Sequence, residues 1–140
     1  YIDNKNANSY DYQIEMAEKE LVDRNYENAL RYYKTALALQ PDDIKVREAM
    51  AEIYTSQKEY DSALVLYMEI LQLDKNNKEA YQHLISIYDE RGDYESILSL
   101  KEDVTDEEVL ALFDAYEVGE PIISPLGGQY DDYVTIVIYS

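Results

Sequence analysis

The octapeptide YENALRYY at 26–33 returns as YDSALVLY at 60–67 and, in looser form, as YESILSLK at 94–101. Tyr26, Tyr60 and Tyr94 are thus 34 residues apart, and each follows an acid or amide (Asn25, Glu59, Asp93). Working outward, the same step joins Met16, Met50 and Leu84; Ala17, Ala51 and Ile85; Ala29, Ala63 and Ile97; and Leu30, Leu64 and Leu98. Tyr33 pairs with Tyr67, and Leu39 with Leu73. Within each period the apolar positions recur at three-and-four spacing, as in Met50, Ala51, Ile53 and Tyr54, then Ala63, Leu64, Leu66 and Tyr67. That spacing is helical. A 34-residue period built from two helical patterns is the signature of stacked helix pairs. The spacing predicts a bend before each of the three tyrosines, with Pro41 closing the first unit.

These residues resemble the tetratricopeptide repeat. Unit 1 (10–43) carries the pattern in Met16-Ala17, Tyr26, Ala29, Tyr33, Ala36 and Pro41; unit 2 (44–77) in Met50-Ala51, Tyr54, Tyr60, Ala63 and Tyr67. Unit 3 (78–104) keeps Tyr81, Leu84, Tyr88 and Tyr94. It departs with Ile85 and Ile97 at small-residue sites and Lys101 at an aromatic one. Glu20 stands where unit 1 should carry Tyr, and Lys75 where unit 2 should carry Pro. The resemblance implies an all-α, right-handed solenoid of three helix pairs over residues 10–104, preceded by a linker at 1–9.

Thr105-Asp106-Glu107-Glu108 reads as a capping box, with Thr105 as the cap and Glu108 three positions on. It opens an amphipathic helix at 105–118 with Val109, Leu110, Leu112, Phe113 and Tyr116 on one side and Gly119 as its stop. A polar-backed helix after the last repeat is expected to cap the solenoid. Beyond it the composition changes: three of four glycines and two of three prolines lie in 119–140, and all 12 Lys and Arg lie at or before Lys101. Tyr133 to Tyr139 alternates at period two and reads as a strand. The run from Pro121 to Tyr130 with Val134-Thr-Ile resembles the start of a chitobiase C-terminal-type β-sandwich module, implying a truncated β-module at 119–140. A strand of this kind left unpaired is expected to dock on the solenoid or join two chains as a homodimer.

The chain has 140 residues and a formal charge of −18, from 30 acids against 12 Lys and Arg. Nucleic acid and anionic membrane surfaces are repelled by such a charge and are excluded as main partners. No apolar run approaches the roughly 20 residues of a membrane span. The chain opens on Tyr1 rather than Met and shows no signal peptide, which predicts an excised or processed piece. There is no cysteine, so thiolate metal sites and thiol nucleophiles are excluded. The single histidine, His83, has no nucleophile at an activating spacing and reads as structural. No glycine precedes Gly92, so no phosphate-cradling loop exists in the repeats. Acid pairs such as Asp42-Asp43 lack a calcium-loop pattern. The expectation is a protein that is not an enzyme and needs no cofactor or metal.

Eight of the 16 tyrosines (Tyr26, Tyr33, Tyr54, Tyr60, Tyr67, Tyr81, Tyr88, Tyr94) fall at core positions of the repeat, leaving Tyr10, Tyr12 and Tyr32 as candidate contact residues. The resemblance implies that the first helix of each pair lines a concave face that binds extended peptides. Carried over, those positions are Asp11, Ile14, Glu18, Leu21 and Val22; Lys45, Glu48, Glu52, Thr55 and Ser56; and Glu79, Gln82, Ser86, Asp89 and Glu90. Seven of these fifteen are acidic and one is basic. Chaperone-binding members of the family hold a terminal carboxylate with Lys, Asn and Arg; here those sites carry Ile14, Glu18, Glu79 and His83, which would repel it. The expected partner is therefore a basic or neutral protein segment, with Ile14, Leu21 and Val22 forming an apolar end. The alternative is a structural spacer or self-association element of a bacterial cell envelope. The chitobiase-type resemblance implies that surface location, and a cytoplasmic one is the alternative.

Overall fold

The computed structural model describes residues 9–116. The truncated β-module, the chitobiase-type resemblance, the pairing strand and the 1–8 part of the linker lie outside the described residues. Seven α-helices run in order: α1 (Tyr10–Val22), α2 (Tyr26–Leu39), α3 (Ile44–Ser56), α4 (Tyr60–Leu73), α5 (Lys78–Glu90), α6 (Tyr94–Lys101) and α7 (Glu107–Leu110). A 3-10 segment, Ala111–Tyr116, follows α7. The described architecture is thus the all-α succession of helix pairs that the 34-residue period predicts. The chain divides into two compact units, Tyr1–His83 and Leu84–Ser140, with the division inside α5.

Within the first unit α1 packs on α2 and α3 on α4, with α2 also meeting α3. Ala17, Ala29, Ala36, Ala51 and Ala63 are all completely buried. Alanine at these points leaves nothing but a methyl between neighbouring backbones, so paired helices can approach closely. Around them Leu30, Tyr33, Val46, Met50, Ile53, Leu66, Tyr67 and Ile70 complete the core. In the second unit Leu84, Ile85, Ile87 and Ile97 are buried, so isoleucines occupy the two sites held by alanines in the earlier repeats.

Each turn inside a pair is built alike. Arg24, Lys58 and Gly92 occupy left-handed backbone at φ 62, 62 and 71. Asn25 N–H then bonds Glu20 O (2.8 Å), Glu59 N–H bonds Tyr54 O (2.8 Å) and Asp93 N–H bonds Tyr88 O (2.8 Å). This is the six-to-one bond of a Schellman stop. Only the third turn uses the residue for which that conformation is free of a Cβ clash.

The first helix of each pair is capped by a series the 34-residue step also links, Ser9, Asp43 and Asn77. Ser9 Oγ accepts from Tyr12 N (3.1 Å), Asp43 Oδ1 from Val46 N (3.0 Å) and Asn77 Oδ1 from Ala80 N (2.8 Å). Asp43 accepts a second bond from the Tyr10 hydroxyl, tying the start of α1 to the start of α3. That bond, with burial and the charges of Asp43 and Asp11, pushes the Tyr10 phenol up to about 12. Nearby, the Arg47 guanidinium pairs with Glu69 of α4 (3.0 Å) and donates to the carbonyls of Pro41 and Asp43. Glu20, at the site where a tyrosine was expected, instead accepts from Asn25 Nδ2 (2.8 Å) and Asn28 Nδ2 (3.4 Å), bridging α1 to α2.

Two expectations need correction. The cap after the third pair is Asp106 rather than Thr105: its carboxylate accepts from Glu108 N (2.9 Å) and Val109 N (3.1 Å). The helix it opens lasts one turn before tightening to 3-10. Three residues per turn align Leu110, Phe113 and Tyr116 and bury Phe113 completely. Of the eight core tyrosines, Tyr33, Tyr67 and Tyr81 are buried, and Tyr26, Tyr54, Tyr60 and Tyr88 are half-buried. Tyr94 is 53% exposed, its ring touching only the tilted ring of Tyr116 at 6.4 Å among the described aromatic contacts.

Two stability changes of opposite sign follow from these contacts. Asp43→Ala removes a cap and the acceptor of Tyr10 together and should cost about 1–2 kcal/mol in urea unfolding. Arg24→Gly relieves the left-handed strain and should stabilise by about 0.5–1 kcal/mol in the same measurement.

Candidate functional site

The exposed surface of α1 and α3 carries most of the candidate face. Asp11, Glu18, Val22, Lys45, Glu52 and Ser56 are exposed, and Ile14, Leu21, Glu48 and Thr55 half-buried. Glu79 and Gln82 are exposed on the first part of α5. Ser86, Asp89 and Glu90 are exposed in the second unit, where Asp89 acts on the Tyr116 phenol. Of the apolar end, Val22 stands out at 81% exposed, while Ile14 and Leu21 are partly covered. The hydroxyl protons of Thr55 and Ser56 are spent on their own helix, donated to Ala51 O (2.8 Å) and Ile53 O (2.7 Å).

The structure gathers a smaller group than the fifteen positions. Glu18 of α1 and Glu52 of α3 both act on the phenol of Tyr33, which burial raises first and the two carboxylates raise further. Glu52 and Glu48 likewise act on Tyr67, whose phenol is pushed up to about 12, chiefly by burial and then by Glu52. Nearby Thr55 offsets a little of this rise. The Thr55 hydroxyl donates to Ala51 O, and Tyr67 Oη, in a residue that is 0% exposed, has no hydrogen-bond partner that meets normal geometry among the described residues. A buried hydroxyl in that condition costs about 1–3 kcal/mol. The ring itself is fixed by His83, stacked on it at 4.7 Å and 8°.

Within the first unit the charges of Glu18, Glu48 and Glu52 thus act on two buried phenols, one of them stacked on an imidazole. The sequence reading placed Tyr33 and Tyr67 in the core and did not connect them with the acids. The signal lay in the period: Glu18 and Glu52 are one step apart, as are Tyr33 and Tyr67, whereas the third unit has Ser86 and Lys101. Chemically the group can accept hydrogen bonds and attract cations. Among the described residues no cluster of three or more His, Asp or Glu could hold a metal ion, and no helix is long and apolar enough to cross a membrane.

Alkaline titration should expose this burial. Unfolded tyrosine releases its proton near 10.0, whereas folded Tyr67 holds it to about 12. Between those values the folded state binds more protons, so stability is full below pH 10 and falls as pH rises toward 12. Tyr67→Phe should flatten that loss in chemical denaturation followed from pH 9 to 12, and below pH 9 should be neutral or stabilising because it deletes an unpaired buried hydroxyl.

Comparison with known proteins bears on the repeats. A search of curated proteins finds no match. Among solved structures, one described as the crystal structure of MamA protein superposes with a TM-score of 0.62 at 18% identity, covering 76% of this chain and 56% of its own. The chain thus spans little more than half the length of that neighbour, which it resembles in fold. The family model described as tetratricopeptide repeat matches residues 21–86, from the end of α1 into α5. Helix pairs, 34-residue register, buried alanines and this match agree in showing tetratricopeptide repeats over residues 21–86.

Proposed function

We propose that the first unit binds an extended protein segment of basic or amide-rich composition across the face of α1 and α3, without catalysis. The observation that carries this is the acidic face of α1 and α3, where Glu18 and Glu52 are exposed and Glu48 half-buried, and where their charges act on the phenols of Tyr33 and Tyr67. Among the described residues no hydrogen bond or ion pair engages these three carboxylates, in contrast to Glu69, which Arg47 neutralises. Carboxylates without counter-charges favour a partner that brings its own. The helices beneath are fixed by caps and buried alanines, so the partner loses entropy mainly through its own ordering. The net charge of −18 supports the same sign of partner and disfavours nucleic acid.

Reversing two of the charges tests the reading. Glu18→Lys with Glu52→Lys, both at exposed positions, should weaken capture of Lys- and Arg-containing peptides by about tenfold or more and flatten the salt dependence of association. Fluorescence anisotropy at low and moderate salt measures both. Unchanged affinity would remove this face from consideration.

A further inference from the structure

The second helices of the first two pairs, α2 and α4, leave a face of the first unit uncovered. On α2 the exposed stripe is Glu27, Arg31, Lys34, Thr35 and Ala38, recurring at helical spacing opposite the buried Ala29, Tyr33 and Ala36. These residues, with Asn28 and Leu30, line an open cavity of about 710 Å³. No described carboxylate pairs with Arg31 or Lys34, Glu27 beside them included, although the chain has 30 acids against 12 Lys and Arg. The Arg31 guanidinium instead donates to Asn28 Oδ1 (3.1 Å) and lies over the Tyr32 ring, 4.8 Å from its centre. The 34-residue step maps this stripe onto Asp61, Val65, Met68, Glu69 and Gln72 of α4. There Val65 is 57% and Met68 42% exposed, flanked by the half-buried Leu64 and Leu71. α4 is thus apolar on its outer as well as its inner side, a pattern proper to a helix that is covered all round. Helix pairs stacked in register present matching positions on one side, so the cations of α2 and the apolar stripe of α4 face the same way.

We propose that this face of α2 and α4 docks an acidic amphipathic helix of a partner protein. The occupant's chemistry follows from charge and apolarity taken together. Two cations without counter-charges call for carboxylates. Exposed Val65 and Met68 call for an apolar stripe, because covering them removes apolar surface from water. One helix meets both demands if its apolar residues recur at three-and-four spacing and its border is Asp or Glu. Its apolar stripe covers Val65 and Met68, while acids along one edge reach the α2 cavity, where Leu30 and Ala38 add apolar lining beside the charges. A basic helix would meet Arg31 and Lys34 with like charge, and so would a second copy of the same surface. Nothing in the repeat requires cations at these two positions, since α4 has Val65 and Met68 there and keeps the same buried inner side. Of the acids on this face, Glu69 is already paired with Arg47. The charge of −18 opposes an acidic segment at long range, but that field decays over about 8–10 Å at physiological salt, so local cations and apolar burial decide the contact. The surface belongs to the second helices of the pairs and is independent of the α1–α3 reading.

The test uses the full chain and two labelled peptides with leucines at helical spacing, identical except that the leucines are bordered by glutamates in one and glutamines in the other. Fluorescence anisotropy should rank the glutamate peptide over the glutamine peptide by about three- to tenfold. Arg31→Glu with Lys34→Glu should remove that preference and leave the glutamine peptide's affinity unchanged. Val65→Gln with Met68→Gln should weaken both peptides by about tenfold or more. All four positions are exposed and none supports the core. Circular dichroism checks that each double variant is folded; if one is not, the other decides. Equal affinity for the two peptides in the parent chain, a preference that survives the charge reversal, or unchanged affinities in the Val65 and Met68 variant would each overturn the docking face. Failure of the parent chain to bind the glutamate peptide would overturn it as well, and would leave the α1–α3 face standing.

Discussion

Close approach of the paired helices at buried alanines is the constraint on which the first unit depends. Ala17 with Ala29, and Ala51 with Ala63, are the fixed points of two successive pairs, all without solvent exposure. Helices drawn together there place their large side chains around the contact, and Met50, Tyr33, Leu66 and Tyr67 are buried with the alanines. The short turns follow from the same constraint: three residues with one in the left-handed region reverse the chain quickly enough to bring the partner helix back. Where the third pair buries Ile85 and Ile97 instead, its second helix is also shorter, at 8 residues against 14 in each of the first two.

Charge is divided between groups consumed by the fold and groups left over. Arg47 joins Glu69 and two loop carbonyls, Asp43 serves both a helix end and Tyr10, and Glu20 holds two asparagines across a turn. These interactions hold elements in register, and their polar groups are satisfied locally. Glu18, Glu48 and Glu52 make no such bond among the described residues, yet their charges add to the burial that raises the phenols of Tyr33 and Tyr67. A protein of −18 pays for such a concentration in self-repulsion, and a cationic partner would relieve it. The distinction between bonded and unbonded acids is invisible in a count of residues, because it depends on which helix faces which.

The helix pairs were readable because a period of 34 leaves its mark on many positions at once: alanines, tyrosines, leucines and the residues before each bend all repeat. The caps of the first helices repeat too, but as Ser9, Asp43 and Asn77 they share a side-chain function rather than an identity, and residue matching passes over them. Tyr94 was expected inside because Tyr26 and Tyr60 precede it in the series. Exposure depends on what lies opposite, and in the second unit that is the half-buried Tyr116. The tightening of the segment after α7 likewise reflects the need to seat Phe113, which no local pattern dictates.

Sequence alone determined the fold class, the register of the helix pairs and the sign of the charge on the candidate face. Those properties are encoded by composition and by spacing along one helix, and both survive without knowing the neighbours. Tertiary structure decided which of the fifteen face residues act together, that Tyr33 and Tyr67 belong with the acids, and that Tyr67 Oη is left without a partner. The reason is physical: desolvation, stacking and unpaired hydrogen bonds are properties of atoms brought together from α1, α2, α3, α4 and α5, and no spacing within a single helix contains them.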